Sequence, residues 1–261
     1  IDINPELAID CLTGRLQLRR LKDFCAIAVA DSEYNRAELQ EMGYANTAVL
    51  PIRVHFDKFD KKEDAFTRHT YDDDRTNIVV VGRTIPNKKL EDCLKIFACY
   101  QKYLNPRSRL IFAGFWRPFA PYYFALRAMT QELQLREVVF TGHVRFEELL
   151  AYYRMADVLL SMSEHEGFCV PLLEAFHMNV PVITFGACAV PFTAGKGGIL
   201  IQEKNYLAIA EMMDRLCSQT GLRRGVLEAQ QEQLRKHQGF PFEETLMRLV
   251  EVLQQTEPVQ T

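Results

Sequence analysis

Residues 158–175 have the sequence VLLSMSEHEGFCVPLLEA, which combines a buried strand, a turn and the start of a helix. The apolar run from Val158 to Leu160 is typical of a strand that is covered on both faces. The chain turns at Gly167, and Pro171 lies in the first helical turn, where a missing N–H leaves no helical hydrogen bond unmade. Strand, turn and helix in this order are the repeating unit of a parallel α/β sheet.

The same alternation of short apolar runs with segments of helical periodicity extends outward from this stretch, over residues 78–213. The predicted strands are 77–82, 109–113, 138–142, 158–162, 180–185 and 199–202, and the predicted helices are at about 88–103, 119–134, 146–155, 170–178 and 204–218. The fold class is therefore α/β, with a doubly wound parallel sheet. Ligands of such sheets bind beyond the carboxyl ends of the strands.

The amino-terminal part of the chain predicts a separate, incomplete unit. Residues 24–30 predict a strand, residues 32–42 a helix and residues 47–50 a second strand. One and a half βα units cannot bury both faces of a sheet. We therefore expect residues 1–52 to be the remnant of a preceding domain whose earlier strands are absent from this chain.

Three further segments complete the predicted domain organisation. The stretch 53–76 has few apolar residues and charges of alternating sign, which favours a solvated linker over an acidic metal site at residues 72–74. Residues 77–240 form the predicted ligand-binding domain. Residues 241–261 are predicted to be an amphipathic helix with a tail.

The overall composition narrows the class of protein. Hydrophobic residues make up 48% and charged residues 25% of the chain, as in ordered globular proteins. A net charge of -3 gives no support to a nucleic-acid partner. No apolar run reaches the roughly 20 residues of a membrane helix. The seven cysteines lack zinc-ligand spacing and are predicted to be buried thiols of a cytoplasmic protein.

The stretch 158–175 also carries two glutamates that are candidates for ligand binding. Its helix begins at the predicted ligand edge of the sheet, and a helix N-terminus favours phosphate or sugar oxygens. Glu174 stands in an apolar helix, so its carboxylate needs partners such as vicinal ribose hydroxyls. The alternative is a carboxylate that the helix dipole stabilises. Glu166, taken alone, is better interpreted as a polar loop residue.

A second polar group follows the predicted strand 77–82. Gly82 permits a tight exit from the strand, and Arg83 and Lys88 flank a short turn from which two cations can reach one diphosphate. A solvated loop is the alternative interpretation of this group. The stretch is neither a Walker A loop nor a G-x-G-x-x-G pattern, so ATP hydrolysis and NAD binding lack their expected residues.

Three strings of the chain resemble the retaining GT-B glycosyltransferases of family 4: VGRTIPNKK, VVFTGHVRFEELLAYYRMADVLLSMSEHEGFCVPLLEA and VPVITF. The specific part is the E-x7-E motif, which runs here from Glu166 to Glu174. The resemblance covers residues 24–240 and implies two Rossmann-like domains, the second of which holds a nucleotide-sugar. It also implies transfer of a hexose to a saccharide or lipid-linked acceptor.

The resemblance implies roles for the residues of both polar groups. Arg83 and Lys88, beside Gly82, hold the donor diphosphate and stabilise the leaving nucleotide, so that neither a metal ion nor another cofactor is required. Glu174 binds the ribose. The transferred sugar is oriented by the turn and helix start, at Glu166, Gly167, Phe168, Cys169 and Val170. The base is cradled by Gly142, His143 and Val144.

Two positions depart from the family pattern. Asn179 stands where a glycine usually precedes the strand, and Phe192 stands where a glutamate often follows proline. Asparagine tolerates the left-handed conformation that such a glycine adopts at a helix end. The second departure puts the contacts of its loop in doubt.

The resemblance also has consequences for partners. No residue selects guanine over uracil, so the expected donor is a GDP- or UDP-linked sugar, with mannose a common theme among similar chains. The acceptor site is expected in the absent part of the N-terminal domain, so this chain alone should not turn over. The alternative is a non-catalytic GT-B-like module, as a pseudo-enzyme or half of a split enzyme, that binds a nucleotide-sugar or a partner protein. A predicted basic helix suggests peripheral contact with the inner face of a membrane, through Arg15, Arg19, Arg20 and Lys22.

Overall fold

The computed structural model describes residues 5–255, which divide into two compact units. One unit comprises the described residues up to 53 together with those from 239 onward, and the other comprises residues 54–238. The carboxyl-terminal helix therefore belongs to the same unit as the amino-terminal segment. The domain boundaries predicted from the sequence treated these two segments separately. Residues 1–4 and 256–261 of the two predicted terminal segments lie outside the described residues.

The larger unit is built on a six-stranded parallel sheet with the strand order β5-β4-β3-β6-β7-β8. Its strands are β3 (Thr76–Val81), β4 (Ser108–Ala113), β5 (Val138–Gly142), β6 (Val158–Ser161), β7 (Val182–Phe185) and β8 (Ile199–Ile201). The order reverses between β3 and β6, which pair through Ile78 with Val158 and Val79 with Leu159. Ligands of doubly wound sheets bind in the crevice beyond the strand ends at such a reversal.

Helices cover both faces of this sheet. They are α3 (Ala65–Thr70), α4 (Leu90–Tyr103), α5 (Ala120–Glu132), α6 (Phe146–Met155), α7 (Val170–His177), α8 (Val190–Ala194), α9 (Tyr206–Ser218) and α10 (Thr220–Gln238). The predicted strands and the five predicted helices of this region are present, with ends displaced by at most a few residues. The α/β fold class is confirmed.

Successive side chains of β3 enter two different hydrophobic clusters. Val79 packs with Ile111 and Leu159 on one face, whereas Ile78 packs with Leu110 and Val158 on the other. Strand side chains alternate in direction, so a strand that is covered on both faces is apolar at successive positions and not only at every second one. This geometry is the physical reason for the unbroken apolar runs in the sequence.

The stretch 53–76, expected as a solvated linker, instead belongs to the larger unit from residue 54 onward. Phe56 is 8% and Phe59 is 2% exposed, and both lie in the core beside Tyr153. The segment is docked by these two aromatic side chains and by ion pairs of Glu63 with Arg154 and of Asp64 with Arg145. In the acidic run, Asp73 accepts a hydrogen bond of 2.7 Å from Arg109, which lowers the pKa of Asp73 to about 2.

Helix α10 is absent from the elements predicted from the sequence. Most of its residues are polar or charged, and one of its two buried residues is a glutamine, Gln230, which is 0% exposed. The Gln230 Oε1 atom accepts from the Val182 N–H at 3.0 Å, and its Nε2 atom donates to the Val180 carbonyl at 2.9 Å. The amide side chain therefore pairs backbone groups at the start of β7.

Replacing Gln230 by Met is expected to lower the free energy of unfolding by about 2–4 kcal/mol, because it leaves a buried N–H and a buried carbonyl without partners. Chemical denaturation of the wild type and the variant measures this difference. Gln238→Met, at an exposed position on the same helix, is the control and should change stability little. Equal losses in both variants would contradict the assigned role of the Gln230 amide.

The smaller unit contains α1 (Pro5–Leu21), β1 (Ala28–Ala30), α2 (Glu33–Glu41), β2 (Thr47–Val49) and α11 (Phe242–Gln255). Strand β1 is shorter than the predicted strand 24–30, since residues 22–24 form a 3-10 turn and Phe24 is 77% exposed. The parallel pair of β1 with β2 forms its two-stranded sheet. Two of the cysteines predicted to be buried, Cys11 and Cys25, are exposed.

None of the helices in the described part of the chain combines the length and the apolar character that spanning a membrane requires.

Candidate nucleotide-sugar site

The residues predicted to bind a diphosphate lie where the strand order reverses, directly after β3. Gly82 adopts a φ of 138°, which a side chain would strain, and the Lys88 side chain passes 3.5 Å from where a Cβ at Gly82 would be. Gly114, which follows β4, lies directly against Gly82, because a Cβ at Gly114 would overlap the Gly82 carbonyl oxygen. Two glycines thus bring neighbouring strand ends together and leave room for Lys88.

Lys88 and Glu166 form an ion pair across the reversal. The distance between Lys88 Nζ and Glu166 Oε1 is 2.5 Å, and the two side chains are 18% and 9% exposed. Lys88 follows β3 and Glu166 follows β6, so the pair joins the two strands between which a ligand is expected. The structure brings together two of the three predicted catalytic residues.

The backbone on either side of Glu166 is held by neighbouring turns. The Asn87 Nδ2 atom donates to the His165 carbonyl at 3.0 Å, and the Glu164 N–H donates to the Asn87 carbonyl at 2.9 Å. From the other side, the Ala189 N–H donates to the Glu166 carbonyl at 3.2 Å. These bonds fix the turn that carries the carboxylate.

Helix α7 begins immediately after this turn. Cys169, at its N-cap, has a left-handed φ of 68°, and the Thr193 hydroxyl donates to the Phe168 carbonyl. Burial raises the pKa of the Cys169 thiol, and the Glu166 carboxylate raises it further. A thiol held in its neutral form leaves Lys88 as the charged partner of Glu166.

Glu174 lies one turn into α7 and is 8% exposed. Its Oε2 atom accepts from the buried Tyr153 hydroxyl at 2.8 Å, and its Oε1 atom lies 4.0 Å from Lys58 Nζ. Burial raises the pKa of Glu174, although the Tyr153 hydrogen bond and the Lys58 charge oppose that shift. The sequence analysis expected hydrogen-bond partners for this buried carboxylate, and Tyr153 of α6 is one of them. The other oxygen, Oε1, receives no hydrogen bond from the described residues.

The remaining predicted residues lie at two strand ends, with Arg83 after β3 and Gly142, His143 and Val144 at the end of β5. Arg83 is exposed and forms no ion pair within residues 5–255. Gly142 ends β5 with a φ of 74° and lies beside the Trp116 ring, while the exposed His143 contacts Phe115 edge-on at 6.1 Å. Val144 is half-buried against the core.

Of the two departures from the family pattern, Asn179 is accommodated by the backbone. Its φ is 56°, the left-handed value expected for an asparagine in place of glycine, and its Oδ1 atom accepts from Gln231 at 2.9 Å. Phe192 is 53% exposed. Throughout residues 5–255, no group of three or more His, Cys, Asp or Glu side chains is arranged to hold a metal ion.

A family model described as glycosyl transferases group 1 matches residues 61–233. The chain belongs to this family. The match begins within the segment expected to be a linker and ends in α10, so the family unit coincides with most of the larger unit.

The individual relatives share about a quarter of their aligned residues with this group 1 chain. The GDP-mannose-dependent alpha-(1-6)-phosphatidylinositol monomannoside mannosyltransferase of Mycolicibacterium smegmatis is 27% identical over 191 residues, which cover 71% of this chain and 48% of the relative. The chain spans about half the length of the curated relatives that it matches.

Solved structures support the fold of this group 1 member. Sucrose-phosphate synthase from Thermosynechococcus elongatus has a TM-score of 0.74 at 21% identity and covers 93% of this chain and 61% of its own. The Anabaena protein HepE in complex with UDP-glucose has a TM-score of 0.75 at 17% identity, covering 93% and 68%. The predicted Rossmann-like GT-B architecture is confirmed.

Sequence reasoning overlooked several residues at the strand ends of this domain. Tyr153 and Lys58 meet Glu174, and three further charged residues are linked by ion pairs to one another and to Lys89: Asp92, Glu164 and Lys204. Their partners are distant in sequence, so no local pattern identifies them. Asp92 is one of several charged residues of α4, together with Glu91, Lys95 and Lys102, so the sequence carried no signal that marked it out.

Proposed function

We propose that residues 54–238 bind the nucleotide-diphosphate part of a sugar donor in the crevice between β3 and β6. The observation that carries this proposal is the Lys88 and Glu166 pair, because it sets one cation and one hydrogen-bond acceptor side by side at the strand-order reversal. A diphosphate requires the cation, and a sugar hydroxyl requires the acceptor.

The other parts of the donor have candidate partners around this pair. Arg83 is exposed and free of ion pairs in the described residues, so it is available as a second cation for the diphosphate. Glu174 keeps Oε1 without a hydrogen bond in the described residues, which suits a ribose hydroxyl. The sugar is assigned to Glu166 and the backbone and side chains of residues 167–170, and the base to residues 142–144.

The reaction proposed for the protein is transfer of the sugar with retention of configuration and without a metal ion. Negative charge develops on the departing nucleotide, and Lys88 and Arg83 are positioned to stabilise it. The relatives support GDP-mannose as one candidate donor and the HepE complex supports UDP-glucose as another. The name of the M. smegmatis relative supports a lipid-linked acceptor, and with it peripheral membrane contact; a saccharide is the other candidate.

The test is a calorimetric titration of the chain with GDP, UDP, ADP, GDP-mannose and UDP-glucose. We expect at least one nucleotide to bind, and Glu174→Gln to weaken it roughly tenfold through loss of a charged acceptor for the ribose. Glu211→Gln makes the same chemical change on an exposed face of α9 and is the control. Failure of all five compounds to bind the wild-type chain would refute the proposed donor site.

A further inference from the structure

Lys204, which follows β8, is held between two carboxylates from different parts of the chain. Its Nζ atom lies 2.8 Å from Asp92 Oδ2 in α4 and 2.8 Å from Glu164 Oε1 in the turn after β6. The Lys204 side chain is 14% exposed, and burial of an ammonium is unfavourable unless it is paired. The two ion pairs therefore tie together three elements: α4, the turn after β6 and the segment after β8.

The pairing continues to Lys89, the residue next to Lys88 of the proposed donor site. The second oxygen of Glu164, Oε2, lies 3.2 Å from Lys89 Nζ. We call Asp92, Lys204, Glu164 and Lys89 the Lys204 network. Lys89 is the neighbour of Lys88, and Glu164 is two residues before Glu166, so the network runs alongside the Lys88 and Glu166 pair.

Asp92 is the most firmly held member of the Lys204 network. Asp92 is 6% exposed and also accepts from the Tyr206 hydroxyl at 2.9 Å, and the Lys204 ammonium lies 4.6 Å from the centre of the Phe185 ring. Burial opposes ionisation of Asp92, but hydrogen bonds from Lys204 and Tyr206 outweigh it and lower its pKa. The Asp92 carboxylate is thus ionised and fixed, whereas the Glu164 carboxylate is half exposed and is held in place by its two lysine partners.

We propose that Lys204 is a positioning residue, which acts through Glu164 to hold the turn 164–166 so that the Glu166 carboxylate faces the transferred sugar. The inference rests on the proposed donor site. Ion pairs of this kind add little net stability over apolar residues of similar size, so the geometry they impose is the more substantial effect. The sugar contact should respond to this geometry more than the diphosphate contact, because Lys88 is held by its own turn after β3.

The experiment compares the affinities of a nucleotide-sugar and of its bare nucleotide diphosphate, using GDP-mannose with GDP and UDP-glucose with UDP. In Lys204→Met the nucleotide-sugar should bind about tenfold more weakly, with less than about a twofold change for the diphosphate, since small misplacements of a positioned group are costly. Lys204→Arg should restore part of the loss. Lys95→Met is the matched control, because Lys95 also pairs with Asp92, at 3.5 Å, but forms no ion pair with Glu164 among residues 5–255.

Hydrogen exchange of the backbone amides in residues 161–169 provides a readout without any nucleotide. Faster exchange in Lys204→Met than in Lys95→Met supports the positioning role. Equal exchange in the two variants overturns it, as does an equal loss of affinity for nucleotide-sugar and diphosphate. If the wild type binds no nucleotide, the proposed function fails, and the exchange comparison still decides whether Lys204 holds the turn.

Discussion

Replacing Lys88 by Met is expected to weaken binding of the preferred nucleotide-sugar roughly 10- to 100-fold. The variant loses a charged hydrogen bond to the diphosphate, and such bonds contribute about 1.5–3 kcal/mol. It also leaves the Glu166 carboxylate, which is 9% exposed, without its cation and close to the incoming negative charge. Isothermal titration of the variant with the nucleotide that binds the wild type measures the loss.

Two further variants separate this effect from a general change in charge. Lys62→Met removes a lysine from an exposed position and should bind as the wild type does. Lys88→Met with Glu166→Gln removes both members of the pair, and it should recover part of the diphosphate affinity because the unpaired carboxylate is gone. Wild-type affinity in Lys88→Met would show that the diphosphate lies elsewhere.

Replacing Gly114 by Ala is expected to lower the free energy of unfolding by about 3 kcal/mol, since the new methyl group overlaps the Gly82 carbonyl oxygen. Backbone cannot move aside as a flexible side chain can. The pairing of β3 and β4 continues past their ends, with the Thr84 N–H bonded to the Phe115 carbonyl at 3.0 Å. Separation of the two strand ends should therefore displace the turn of Arg83 and Lys88 and weaken nucleotide binding as well.

Gly225→Ala is the control for this substitution. Gly225 lies in α10 with nothing within 4 Å of a Cβ, and alanine favours helices over glycine. Thermal unfolding should thus show a lower midpoint for Gly114→Ala and an unchanged or higher midpoint for Gly225→Ala. A midpoint for Gly114→Ala equal to that of the wild type would mean that the two strand ends have more room than the structure shows.

The fold was predictable from the sequence where burial on two faces leaves a strong local pattern. Residues 78–81 of β3 and 158–160 of β6 are all apolar because the sheet is covered on both faces, and α7 is marked by Gly167 and Pro171 at its start. Helix α10 was not predictable in this way, since one of its two buried residues is a glutamine and most of the others are polar or charged. The segment that contains Phe59 was misinterpreted because charges outnumber the aromatic side chains that dock it.

The candidate site was predictable where the interacting residues are close in sequence, and less so where they are far apart in sequence. Gly82 and Lys88 are six residues apart, and their proximity follows from one short turn. Tyr153 meets Glu174 from another helix, and Lys204 meets Asp92 across 112 residues. Such pairings depend on how the helices pack on the sheet, which a single sequence does not record.

The Lys88 and Glu166 pair has a consequence for which anions the crevice admits. Any anion that approaches Lys88 competes with a carboxylate that is tethered to the same fold, and tethered groups compete at effective concentrations on the order of millimolar or above. Free phosphate gains only contacts with the cations. A nucleotide-sugar offsets the competition through its ribose, base and sugar contacts, and its sugar hydroxyls can bond to the same carboxylate. The Glu166 carboxylate thus favours binding of a nucleotide-sugar over binding of small inorganic anions.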